Sequence, residues 1–120
     1  MKKLMAFDLD GTLLFDREIE PANVQAIHRW QQARNIAVCA TGKSIFATKL
    51  ALDTADVTFD YNVLYTGAVV TDAEYNILHA QTLSLAVVRA CYERFTKEPG
   101  VALFATTLTH DYRLADNVGS

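Results

Sequence analysis

Leu4-Met5-Ala6-Phe7-Asp8-Leu9-Asp10-Gly11-Thr12-Leu13-Leu14 is the stretch on which the fold turns. Leu4 to Leu9 is a short apolar run that ends in acids and a glycine. Such a run suits a strand buried on both faces, as in a parallel sheet, and we expect it to lie centrally there. Ligands of open parallel sheets bind beyond the carboxyl ends of the strands, and Asp8 and Asp10 stand at such an end. Along an extended backbone residues two apart point to the same side, so both carboxylates can approach one reacting group. Asp8 could attack phosphorus as a nucleophile. Asp10 could donate a proton to the leaving oxygen and later take one from water. Two clustered anions repel a dianionic phosphate, so a hard cation such as Mg2+ is expected to bridge them. The competing reading is a surface turn, since Asp-Gly is a common turn signal. Two spaced acids after Met-Ala-Phe and before Gly-Thr-Leu-Leu argue against it.

Outward from this stretch the chain alternates strand and helix. Pro21 fits the first position of a helix, in which Val24, Ile27, Trp30 and Ala33 recur at near-helical spacing, and Asn35 stands where a left-handed residue would end it. Ile36 to Ala40 reads as a second buried strand, closed by Thr41-Gly42. A helix from about Ser44 to Leu52 and a third strand over Asn62 to Tyr65 follow. Strand–helix–strand with short connections is the signature of a parallel α/β sheet. The pattern then changes. Ala68–Thr71 and Ile77–Gln81 read as strands around a hairpin loop, Asp72 to Asn76. Ser84 can cap a helix whose stripe is Leu85, Val88, Tyr92 and Phe95, with Glu93 and Lys97 spaced as an ion pair. Pro99-Gly100 stops it, and Val101–Thr106 and Tyr112–Leu114 read as strands.

The 120 residues amount to slightly less than one domain, at ~150 residues per domain. With 51% hydrophobic and 21% charged residues, a disordered chain is not expected. A net charge of −3 speaks against a nucleic-acid partner. No stretch approaches the ~20 apolar residues of a membrane span, and no signal-peptide core follows Lys2-Lys3; we expect a cytoplasmic protein without a membrane partner. The two cysteines, Cys39 and Cys91, both in apolar contexts, read as inert buried thiols. Gly42-Lys43-Ser44 mimics the end of a P-loop, but the required first glycine is Ala37. His28, His79 and His110 show no metal-ligand spacing.

Asp8-Leu9-Asp10-Gly11-Thr12 resembles the first motif, DxDGT, of the haloacid dehalogenase superfamily. Thr41-Gly42-Lys43 resembles its second motif. Asn35 to Lys43 is similar to the G-I-x-x-x-x-A-T-G-R pattern of Cof-type phosphatases, with Asn35 for the usual glycine and Lys43 for arginine. Tyr65-Thr66-Gly67-Ala68 resembles their N-G-A turn, with Thr66 in place of asparagine. The resemblance implies a partial, parallel, Rossmann-like core over residues 1–82 and the start of an inserted α/β cap over 83–120. It implies a Mg2+-dependent phosphatase acting through an aspartyl-phosphate on small phosphorylated metabolites such as sugar phosphates. Asp8 would be nucleophile and metal ligand. Asp10 would be general acid/base, with its carbonyl on the metal. Thr41, Gly42 and Lys43 would bind the substrate phosphate. The family also uses a lysine from a third motif and an acidic pair, GDxxND, from a fourth. After Gly67 only Lys97 is available, and Asp116-Asn117-Val118-Gly119 lacks the spacing and reads as a polar tail. The chain therefore reads as an N-terminal portion that would be inactive alone and would self-associate through an exposed sheet edge. Two other readings stay open: a non-catalytic folded remnant, and a phosphoacceptor receiver domain. Against the receiver, no Asp ends the third strand.

Overall fold

The computed structural model describes residues 1–119. Its main sheet has five strands in the order β1-β4-β5-β6-β7: β1 (Leu4–Phe7), β4 (Ile36–Ala40), β5 (Tyr61–Leu64), β6 (Val69–Asp72) and β7 (Ile77–Ala80). β1, β4 and β5 run parallel, and β6 and β7 add antiparallel strands. The hairpin loop between β6 and β7 is tied by Asp72, whose carboxylate accepts from the Glu74 and Asn76 amides at 3.0 and 2.8 Å. Those bonds, the Asn76 side chain foremost, hold the Asp72 carboxyl below its usual range.

The crossover from β1 to β4 contains a small hairpin, β2 (Leu14–Phe15) and β3 (Glu18–Ile19), and the helix α1 (Pro21–Gln32). The sequence offers no glycine or asparagine at the turn to announce this hairpin. Its two-residue turn holds Asp16 and Arg17 at φ 49° and 64°, the primed-turn conformation that matches strand twist. α1 buries Ile27 and packs Val24 and Trp30 against a core of Leu9, Leu13, Leu14, Ala37, Cys39, Val57 and Phe59. The Trp30 indole donates to the Ile36 carbonyl at 2.8 Å, so its one polar atom is satisfied and the ring serves packing. The left-handed residue after α1 is Arg34, φ 67°, one position before the expected Asn35. Asn35 instead accepts from the Lys3 amide at 3.0 Å and fixes the parallel entry of β4 beside β1. α2 (Ile45–Ala51) is capped by Ser44, whose hydroxyl accepts from the Ala47 amide.

One topological expectation is overturned. β1 is an edge strand of the sheet, not a central one, with Leu4 61% and Met5 44% exposed. Continuous apolar character shows that a strand is built for contact on both faces; it does not say how many neighbours the sheet supplies. The strand also ends at Phe7 rather than Leu9, because Leu9 turns inward to the core while its carbonyl accepts from the amides of Thr12, Leu13 and Leu14.

Beyond β7, Ser84 caps α3 (Leu85–Phe95) through the Val87 amide, as expected. The helix ends at Phe95, ahead of Pro99. The ion pair at its end joins Arg94 to Glu98, beyond the helix, at 3.1 Å rather than Glu93 to Lys97. β8 (Ala102–Thr106) and β9 (Asp111–Asp116) form a separate two-stranded antiparallel sheet. Asp116 thus belongs to a strand and Asn117 binds the Thr96 carbonyl, so this stretch is held rather than a free tail. No residue of α3 is buried. Cys39 is buried and Cys91 exposed, which corrects the expectation of two buried thiols. No helix among the described residues is long and apolar enough to cross a membrane.

Candidate active site

Three parallel strands end side by side, and the segments beyond them form one open cleft of about 350 Å³. It is lined by Asp8 after β1, by Ala40, Thr41 and Gly42 at the end of β4, and by Val63, Thr66 and Gly67 at the end of β5. Asp8, Thr41 and Gly42 are therefore brought together. Asp8 is exposed, its carboxylate accepting from the Leu9 amide at 2.9 Å and the Thr12 hydroxyl at 3.4 Å. Thr41 is 9% exposed. Its Oγ1 accepts from the Lys43 amide at 3.2 Å, which leaves the hydroxyl proton for a ligand in the cleft.

Asp10 and Lys43 form a second pair beside the cleft. Lys43 Nζ lies 3.1 Å from Asp10 Oδ2, with the two side chains 26% and 65% exposed. Neither lines the cleft. Lys43, expected to bind phosphate, pairs with Asp10 in this structure.

Sequence reading did not place Thr66 and Gly67 among the site residues. Tyr65 and Thr66 both sit in the left-handed region, φ 52° and 57°, followed by Gly67 at φ 101°. That last value is open only to glycine at low cost. The signal was available: a glycine directly past the third parallel strand stands at the same sheet end as Asp8 and Thr41. The two loops are bonded to each other, Tyr65 N–H to the Lys43 carbonyl at 2.9 Å and Thr66 N–H to the Thr41 carbonyl at 3.3 Å. A Cβ at Gly42 would stand 3.2 Å from Thr66 Oγ1, so the Thr66 side chain would have to give by a few tenths of an ångström.

Cys39, next to the cleft on β4, is not a nucleophile. Burial, reinforced by the Asp8 charge, pushes its thiol up to about 12, far from the thiolate that cysteine chemistry needs. His28, His79 and His110 join no metal-binding group, and no cluster of three or more His, Cys, Asp or Glu occurs among the described residues. The donors available are hard oxygens, the carboxylate of Asp8 in the cleft and that of Asp10 beside it. Mg2+ is commonly held by one or two carboxylates together with substrate phosphate and water, so this donor set fits it.

Comparison with known proteins agrees with this fold. The family model of haloacid dehalogenase-like hydrolases matches residues 5–117. No curated protein matches the chain. Among solved structures, a haloacid dehalogenase-like hydrolase from B. subtilis is 25% identical, with a TM-score of 0.69, over 78% of this chain and 33% of its own. A hypothetical protein from Geobacillus kaustophilus HTA426 is 26% identical, with a TM-score of 0.73, over 94% of this chain and 43% of its own. A structure reported for a trigonal-bipyramidal intermediate in a phosphoryl-transfer superfamily shares the fold, at 19% identity and a TM-score of 0.75, over 92% of this chain and 43% of its own. The chain thus spans between a third and somewhat over two fifths of the length of these structures. With its mixed α/β fold, its parallel sheet and a family match over nearly all its residues, the chain belongs to the haloacid dehalogenase-like hydrolases.

Proposed function

We propose that the chain carries the phosphoryl-transfer half of a Mg2+-dependent phosphatase acting on small phosphorylated metabolites such as sugar phosphates. The observation that carries the reading is the shared cleft of Asp8, Thr41, Gly42, Thr66 and Gly67 at the ends of three parallel strands. An Asp8 carboxylate oxygen attacks phosphorus and the ester P–O bond breaks. The leaving oxygen takes the proton of Asp10, giving an alcohol and an aspartyl-phosphate. Asp10 then removes a proton from water, which attacks the phosphoryl group and releases phosphate and free Asp8. The Thr41 hydroxyl and the Gly42 N–H orient the equatorial oxygens. Asp8 and Asp10 would hold Mg2+, which supplies charge neutralisation of the phosphate.

Within these 120 residues no lysine follows Gly67 except Lys97, two residues past the end of α3, and among the described residues no cluster of three or more acidic or other metal-binding groups forms around Asp8. One missing preorganised charge costs ~10²–10³ in rate, so turnover by these residues alone is slow. Residues 1–82 act as the catalytic core and 83–120 as the start of a cap; the acidic balance leaves nucleic acid out as a partner. The test is hydrolysis of p-nitrophenyl phosphate with and without Mg2+, for wild type and Asp8→Asn. We expect slow, Mg2+-dependent release that Asp8→Asn abolishes. Release that survives Asp8→Asn contradicts the reading. A stable phosphoprotein formed only from a histidine kinase points to the receiver alternative.

A further inference from the structure

Residues 83–119 meet the core at the turn between β8 and β9. Among the described residues two hydrogen bonds cross between them and residues 1–82, and both start from the cleft loops. Ser44 Oγ, at the end of the Thr41–Ser44 loop, donates to Asp111 Oδ2 at 3.1 Å. The Tyr65 hydroxyl, from the loop after β5, donates to the Thr107 carbonyl. Beside them the His110 ring stacks on Phe46 of α2, centroids 5.8 Å apart and 29° between planes. All three partners lie in or beside the turn between β8 and β9. That turn is braced from within: the Thr107 amide donates to the His110 carbonyl at 2.9 Å, and Thr107 Oγ1 accepts from the Thr109 and His110 amides at 3.3 and 3.1 Å.

We propose that Asp111 is a positioning residue for the phosphate cleft, acting through Ser44, with the Thr107 carbonyl acting in the same way through Tyr65. The inference rests on the phosphatase reading, which assigns the cleft to phosphate. Ser44 is 3% exposed, and its hydroxyl is used twice, accepting from the Ala47 amide at 3.0 Å and donating to Asp111. The Asp111 carboxylate can only accept, so it sets which way the Ser44 proton points and keeps the oxygen lone pair on α2. Tyr65 is held in a conformation that costs free energy, φ 52°. A residue there persists only when its surroundings over-determine it, and the bond from its hydroxyl to the turn is one such restraint. Because the two loops are bonded to each other through Tyr65–Lys43 and Thr66–Thr41, fixing both to one braced turn sets the spacing of Thr41, Gly42, Thr66 and Gly67. Restraint and phosphate affinity are then linked, and each must strengthen the other.

The experiment uses the whole chain with Asp111→Ala, Asp111→Asn and Tyr65→Phe variants. Amide hydrogen exchange at Tyr65 and Thr66 is read without ligand, and affinity for inorganic phosphate is read in Mg2+. Loss of one hydrogen bond is worth about fivefold. We expect Asp111→Ala and Tyr65→Phe to lose about that factor in both readings, and Asp111→Asn, whose amide oxygen still accepts from Ser44, to stay within about twofold of wild type. A purely structural role would lose protection in Asp111→Ala and leave phosphate affinity unchanged. Unchanged protection in Asp111→Ala and Tyr65→Phe overturns the inference, and so does lost protection with unchanged phosphate affinity. A wild-type chain that binds no inorganic phosphate condemns the phosphatase reading, and the positioning of the loops is then decided on the exchange data alone.

Discussion

Thr66→Asn should stabilise this protein. Thr66 lies at φ 57°, ψ 35°, within the left-handed region. An L-residue there pays roughly 1–2 kcal/mol because its Cβ crowds the following carbonyl, and a β-branched residue is the least suited to it. Asparagine tolerates the region because its short side chain can hydrogen-bond locally. Thr66 is exposed and its hydroxyl makes no hydrogen bond to other described residues, so the exchange forfeits little. Relief of about half the strain gives ~0.5–1 kcal/mol, a rise in Tm of about 2–4 °C for a chain of this size. Thermal and urea unfolding followed by circular dichroism measure it. Thr66→Val serves as the control, since it removes the hydroxyl and keeps the branching, and should give no gain. Thr66→Gly relieves more strain but frees the unfolded chain by about 0.5–1 kcal/mol, so it should not exceed Thr66→Asn. A Tm for Thr66→Asn equal to or below that of wild type refutes the reasoning.

Further outcomes follow from the same structure. A thiol reagent near neutral pH should label Cys91 and leave Cys39 unmodified until the chain unfolds; equal labelling of both contradicts the burial of β4. Because folding raises the Cys39 pKa from 9.0 to about 12, the folded state holds a proton that the unfolded state releases. Its contribution is full below about pH 9 and is lost as the pH climbs toward 12, so the alkaline fall in urea midpoint should be shallower in Cys39→Ala. Lys43→Met should change stability by less than about 1 kcal/mol, since the Lys43–Asp10 pair is partly solvated; a larger loss by urea unfolding means the pair is structural. The open edge of β1 should drive concentration-dependent self-association that Met5→Lys suppresses, and sedimentation that is the same for wild type and variant excludes that edge.

The alternation of strand and helix was legible because apolar runs and periodicity are local. Ile36–Ala40, the Ser84 cap and the β6–β7 hairpin follow directly from residue order. What escaped depends on lateral neighbours. Leu4 to Phe7 is apolar enough for the middle of a sheet, yet the strand stands at its edge, because composition does not count partners. The β2–β3 hairpin escaped because Asp16-Arg17 contains neither Gly nor Asn, although both residues adopt the left-handed turn. At the site, Asp8 and Thr41 were legible as residues that follow strands. That Lys43 reaches Asp10 was not, since the two follow different strands and no spacing in the sequence encodes the distance between strand ends. The Ser44–Asp111 bond, 67 residues apart in sequence, is of the same kind.

The central claim is that Asp8 accepts a phosphoryl group. It is tested most directly by incubating the chain with acetyl phosphate and Mg2+, quenching in acid and mapping the adduct by peptide mass spectrometry. The account predicts one phosphoryl group on the peptide containing Asp8, absent without Mg2+ and absent in Asp8→Asn. An adduct on any other residue, or one that persists in Asp8→Asn, contradicts it.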